Sequence, residues 1–177
     1  MAFAALFSSS KPSPVLTTRE NAKGRDAIYV AAVPLRAPRG PAQMLVSTAY
    51  SLGAWNLQHF MVIIKPSSPH PQAFVFDFQP QDPEDFYVML SALFSGQVAG
   101  VVLKRSLKRI PKIRCWFVGF SNVNGVELAN NFSEGWSTQL IVGKHDCRHY
   151  TNGLVEHLTG KQSVLEHLSL HSLKKPE

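Results

Sequence analysis

Cys147 follows Asp146 in the run Gly143-Lys144-His145-Asp146-Cys147-Arg148-His149-Tyr150-Thr151-Asn152-Gly153-Leu154. Aspartate is a good N-cap and Gly160 a natural stop, so this run predicts a helix over 147–159 with Tyr150, Leu154 and Leu158 as its apolar stripe. A helix N-terminus favours negative charge, and the thiolate is the reactive form of cysteine. A working cysteine nucleophile also needs a base, a group that orients the base and an oxyanion donor. His59, which opens an apolar run, is the candidate base, and Asp77, on the next such run, is the candidate orienting group. The first-turn N–H of Cys147 is the candidate oxyanion donor. The chemistry would be attack of the Cys147 sulfur on an ester, amide or isopeptide carbonyl, through an acyl-cysteine intermediate.

A plainer reading stands against this one. Most free cysteines do no chemistry, and Cys147 can be an inert, half-buried helix residue. His59 can be a satisfied histidine at a strand start, and Asp77 can bond a backbone amide. Asp146, an acid beside the thiol, opposes its ionisation and offsets part of the helix effect. His149 reads as a packing or hydrogen-bonding residue rather than a base. His145, Cys147 and His149 lack the separated ligand pairs of a zinc site, so no metal or other cofactor is expected.

The elements that must position these residues follow from periodicity. His59-Phe60-Met61-Val62-Ile63-Ile64-Lys65 is β-branched and aromatic, is stopped by Pro66, and reads as a strand. Ala73-Phe74-Val75-Phe76-Asp77-Phe78 reads as a second strand, joined to the first as an antiparallel hairpin through a Ser/Pro-rich turn. If His59 pairs near Asp77, the two side chains share a face. Asp82-Pro83-Glu84-Asp85 starts a helix with Phe86, Met89, Leu90, Leu93 and Phe94 on its core side and Gly96 as its end. Strands are expected over 98–103 and 114–120, the second containing Cys115. Asn124 with Glu127 resembles a capping box that opens a short helix ending at Gly135. A short strand over 138–142, the helix of Cys147 and a final amphipathic helix over 163–173 complete the chain. The fold class is α+β, a small antiparallel sheet packed with helices.

The chain has 177 residues, 45% of them hydrophobic and 17% charged, which bounds it to one domain able to build a core. Its two cysteines do not make a disulfide scaffold and fit a reducing compartment. No apolar run approaches the roughly 20 residues of a membrane helix. The net charge of +6 is unevenly spread, with Lys104, Arg105, Lys108, Arg109, Lys112 and Arg114 clustered. That cluster reads first as a solvated loop and strand edge. An anionic membrane surface is a second reading, and RNA is disfavoured because no aromatic interleaves the cations.

From Met1 to Arg19 there is no acid, and Ser, Thr and Ala abound, the composition of an organelle transit peptide. Delayed basic residues favour the chloroplast, and Val30-Ala31-Ala32 resembles a stromal processing site. The expected division is therefore a disordered transit segment over 1–32, a linker with a short entry helix from Pro41 over 33–56, the domain proper over 57–160, and a C-terminal helix and tail over 161–177. Stroma, or the thylakoid surface by peripheral contact, is the expected location.

Asp146-Cys147-Arg148-His149-Tyr150 followed by Asn152-Gly153-Leu154 resembles the Asn-Cys-x-His-Phe-x-x-x-Leu signature of the lecithin retinol acyltransferase-like proteins. It also resembles the related PPPDE peptidases. Both belong to the permuted papain-like, NlpC-type superfamily. In the acyltransferase-like branch a histidine begins a strand, a polar residue lies on the next strand, and the cysteine starts a later helix. His59, Asp77 and Cys147 look like these three, with Asp146 standing where the signature has asparagine and Asp77 where the branch has histidine. The resemblance covers residues 57–160 and implies a permuted papain-like fold. It implies a thiol hydrolase or acyltransferase acting on an acyl, amide or lipid substrate through Cys147, with His59 as base. The alternative is a non-catalytic plastid protein that keeps the fold to bind a protein partner.

Overall fold

The structure, a computed structural model, describes residues 24–36, 39–52, 58–67, 72–85, 96–121 and 124–173, together with Val88, Ser91 and Phe94. In chain order the elements are β1 (Ala27–Pro34), α1 (Pro41–Ser51), β2 (Gln58–Lys65), β3 (Ala73–Pro80), β4 (Gln97–Leu107), β5 (Cys115–Phe120), α2 (Gly125–Glu134), β6 (Gln139–Ile141), α3 (Cys147–Thr159) and α4 (Val164–Leu173). The strands form a six-stranded sheet in the order β5-β1-β2-β3-β4-β6, every pairing antiparallel. The expected α+β class and antiparallel sheet are thus present.

β2 and β3 form where the β-branched and aromatic runs predict them and pair as the expected hairpin, with Val62 opposite Phe76, Ile63 opposite Val75 and Ile64 opposite Phe74. Side-chain alternation then sorts the sheet into two faces. Phe60, Val62, Ile64, Phe76 and Phe78 join the main core, together with Tyr150, Leu154, Val155 and Leu158 of α3 and Ala129 of α2. Met61, Ile63, Ala73 and Val75 face the other way, against Leu107, Ile110 and Cys115. Because β4 and β5 are separated by three strands in the sheet, the 108–114 connection must cross this second face, and Ile110 packs onto it. Lys108, Arg109 and Lys112 lie on the exposed side of that strap. β2 is therefore covered on both faces, which is why only Lys65 at its end is exposed.

One boundary differs from the sequence expectation. Residues 27–34, divided above between the end of a transit segment and a linker, form β1. Val30, Ala31 and Ala32, read as a processing site, lie inside it and are buried. β1 pairs along its whole length with β2, from Ala27 opposite Lys65 to Pro34 opposite Gln58, and on its other edge with β5. The folded unit therefore starts before residue 57, and cleavage at 30–32 would divide a core strand. Asp26 anchors the start of β1: its buried carboxylate accepts the Ser67 N–H at 2.9 Å and the Gly125 N–H at 2.8 Å. The physical signal was present in Ala27-Ile28-Tyr29-Val30, a β-branched and aromatic run disguised by the alanines and the Pro/Gly-punctuated stretch that follow it.

Residues 1–23 lie outside the described residues, as does most of the helix expected from Asp82 to Gly96. α1 starts at Pro41 as expected. β4 runs on through Lys104 and Arg105, past the strand expected over 98–103. α2 carries the expected Asn124 cap, whose side chain accepts the Glu127 N–H.

Candidate active site

α3 brings Cys147 to the sheet. Its apolar stripe is set by the 3.6-residue period: Tyr150, Leu154, Val155 and Leu158 are fully buried against the main core. Asp146 is the N-cap and Gly160, in the left-handed conformation with φ 74°, ends the helix. Cys147 is consequently the first residue of α3, half-buried and not in a disulfide.

β2 and β3 bring the other two residues. His59 sits near the start of β2 opposite Val33 of β1, and Asp77 sits in β3 opposite Leu103 of β4. Both lie past the Val62–Phe76 end of the β2–β3 ladder. There the His59 Nε2 and Asp77 Oδ2 atoms are 2.9 Å apart. His59 is 8% exposed and Asp77 is fully buried, so this contact is made away from water. Burial by itself would push the imidazole pKa down. The Asp77 hydrogen bond, and the hydrogen bond and charge of Cys147, outweigh burial and raise it from 6.5 to about 9. Burial likewise opposes the Asp77 charge, but His59 and Arg105 together hold its carboxyl below the ordinary range. Cys147 thus lies within interaction range of the ring.

The three residues singled out in the sequence therefore meet, from three separate elements. His145 and His149 do not join them. His145 stacks on Trp136 with ring centroids 4.5 Å apart and reaches the Ser137 carbonyl at 3.1 Å. His149 Nδ1 lies 2.9 Å from Asp146 Oδ1 and belongs to the helix cap. Among the described residues no group of three His, Cys, Asp or Glu side chains is arranged to hold a metal ion.

Asp146 plays a different part from the one its sequence position suggests. As a bare acid beside Cys147 it would oppose a thiolate. In the structure its Oδ1 accepts the Arg148 N–H at 3.0 Å, and its Oδ2 accepts the Gly143 N–H at 2.7 Å and the Arg148 guanidinium at 3.1 Å. Burial works against this carboxylate, but Arg148, Gly143 and His149 outweigh it and hold its pKa at about 2. The Arg148 cation balances the Asp146 charge, and it also interacts with the charge of Cys147. The acid beside the Cys147 thiol is offset by its own cap.

Sequence reasoning missed Arg105. Grouped above with a solvated basic cluster, it lies in β4 and its Nη2 donates to Asp77 Oδ1 at 2.7 Å. Only the β3–β4 register, which sets Leu103 opposite Asp77 and Arg105 opposite Val75, reveals that Arg105 is Asp77's diagonal neighbour on one face. The adjacent Lys104 points the other way, over the Phe74 and Phe76 rings and onto Asn130. Tyr150 was expected as a core residue only. Its hydroxyl also pairs with Ser133 Oγ at 2.7 Å, and burial pushes its pKa up to about 12.

Comparison with protein-family models, with curated proteins and with solved structures found no match. Among the described residues no helix is long and apolar enough to cross a membrane.

Proposed function

We propose that this chain is a cysteine hydrolase or acyltransferase of the permuted papain-like type. The observation that carries the reading is the convergence of Cys147, His59 and Asp77, with His59 bonded to a buried carboxylate and interacting with Cys147. In the first step the Cys147 sulfur attacks the carbonyl carbon of an ester or amide. The carbonyl electrons move onto oxygen, where the first N–H groups of α3 are the nearest donors that helix geometry supplies. The C–O or C–N bond then breaks, and the leaving group takes a proton from His59. The product is an acyl-Cys147 thioester and a neutral imidazole. In the second step His59 takes a proton from water, or from an acceptor alcohol or amine, whose oxygen or nitrogen attacks the thioester. The acyl group leaves as acid, ester or amide, and the proton passes back to the Cys147–His59 pair. Asp77 keeps the ring in its productive orientation throughout.

The composition of residues 1–23 supports a plastid destination for this enzyme, with any processing upstream of Asp26 so that β1 survives intact. A fluorescent fusion of residues 1–50 that stays cytosolic would remove the destination and leave the chemistry standing.

An electrophilic thiol probe tests the enzyme reading directly. Cys147 is expected to react ahead of Cys115, whose thiol burial pushes up in pKa. H59A is expected to abolish that preference, and incubation with an activated ester is expected to leave an acyl adduct on Cys147 by mass spectrometry. Equal labelling of the H59A chain, or full biological complementation by C147A, sinks the enzyme reading and leaves the non-catalytic plastid binding module.

A further inference from the structure

Asp77 has two carboxylate oxygens, and His59 engages only one of them. The other accepts from Arg105 at 2.7 Å, and the two bonds together occupy both ends of a fully buried carboxylate. Each partner stands on a strand of the same sheet, so neither bond depends on a loop. Arg105 is 42% exposed at its side chain, while Asp77 has no exposure at all. The cation therefore reaches inward from solvent to the carboxylate. A carboxylate bonded at one oxygen alone can still turn about its Cβ–Cγ bond, and a second partner on the other oxygen removes that freedom. Arginine suits the task because it cannot lose its proton at any accessible pH and donates from a rigid planar fork.

We infer that Arg105 is a positioning residue of the site: by holding Asp77 Oδ1 it keeps Oδ2 aimed at His59 Nε2, and so fixes the orientation of the ring that interacts with Cys147. The inference rests on the reading of Cys147 as nucleophile. It gives the exposed face of β4 a role in the site, although Arg105 touches neither the sulfur nor a substrate. A chain of four residues then runs from solvent to the nucleophile, in the order Arg105, Asp77, His59, Cys147.

The experiment compares the full chain with R105Q and R105K by two readings. The first is the His59 Nε2–H proton resonance, which is observable only while the ring is held against Asp77. The second is the rate at which Cys147 is alkylated. R105Q is expected to broaden or lose the resonance and to slow alkylation roughly tenfold, the equivalent of one pKa unit. R105K is expected to keep the resonance and to recover most of the rate. An unchanged resonance and rate in a folded R105Q chain overturn the proposal, because a merely structural arginine would lower the melting temperature and move neither. If R105Q does not fold, R105K and the unaltered chain decide. Merged Arg105 Nη signals in the unaltered chain, or loss of the His59 resonance with no change of alkylation rate in R105K, overturn the proposal. If Cys147 of the unaltered chain reacts no faster than Cys115, the nucleophile reading has failed, and the resonance in R105Q still decides whether Arg105 positions His59.

Discussion

His59 and Asp77 touch at 2.9 Å although they are not paired across the β2–β3 ladder, which runs from Val62 opposite Phe76 to Ile64 opposite Phe74. Their meeting depends on side chains reaching past the end of the hairpin's hydrogen bonds, with the fully buried Asp77 as pivot. Removing that carboxylate leaves His59 buried without its partner and Arg105 with nothing to bind. D77A is therefore expected to lose about 3 kcal/mol, the lower end of the range for a broken buried pair because Arg105 is partly solvated. Urea denaturation checks this, and a loss below about 1 kcal/mol would show that the contact is energetically idle.

The same pair makes stability depend on pH. The folded-state pKa of His59 is raised from 6.5 to about 9, so the protonated ring is favoured by folding. Its contribution is fully present below about pH 6.5 and is lost as pH rises through about 9. The unfolding free energy is expected to fall by up to about 3 kcal/mol between pH 6 and pH 10, and H59Q is expected to flatten this decline. Identical pH profiles for the two chains would rule out a charged His59 in the folded state.

Gly100 lies in β4 opposite Pro80, where a Cβ would come within 2.5 Å of the Phe78 ring. Phe78 is fully buried and packed edge-on to Trp136, so it has little room to yield. G100A is expected to cost about 1–3 kcal/mol through overpacking. A thermal melt that is unchanged by this substitution would mean that the β3–β4 face is looser than described.

Asp26 tests whether β1 belongs to the folded unit. Its two oxygens are the acceptors for the N–H groups of Ser67 and Gly125. D26A strips both of their acceptor, and because Gly125 is buried while Ser67 is exposed, it is expected to destabilise by about 1–3 kcal/mol, the cost of one buried unpaired group. If D26A melts with the unaltered chain, the anchoring of β1 is wrong.

The parts of the fold carried by local signals were legible in the sequence. α3 from Cys147 to Gly160 was readable because cap, stripe and stop all coincide within one segment. The β2–β3 hairpin was readable because two β-branched runs flank a Pro/Ser turn. β1 was not, because Val30-Ala31-Ala32 read as a processing site at the end of a transit segment until the strand is seen between β2 and β5. The site divides in the same way. Cys147, His59 and Asp77 each carry a local mark, a helix start or a polar residue on an apolar strand. Arg105 carries none: it differs from Lys104 only in strand parity, and parity acquires meaning once the register with β3 is fixed. Asp146 misled in the opposite direction, since its charge is visible in the sequence while the Arg148 and Gly143 contacts that offset it depend on the folded cap.

The pairing of β1 with β5 has a consequence for the order of events on the ribosome. β1 emerges early, yet its second neighbour, β5, is made only after β2, β3 and β4. Such distant pairing is slow to form, and the sheet stays incomplete while the chain grows. α3 emerges later still and carries Cys147 with it. His59 and Asp77 thus wait for a partner that is synthesised near the end. A chain interrupted before α3 would carry the His59–Asp77 pair without Cys147 beside it, and any thiol reactivity that depends on all three would be absent from it.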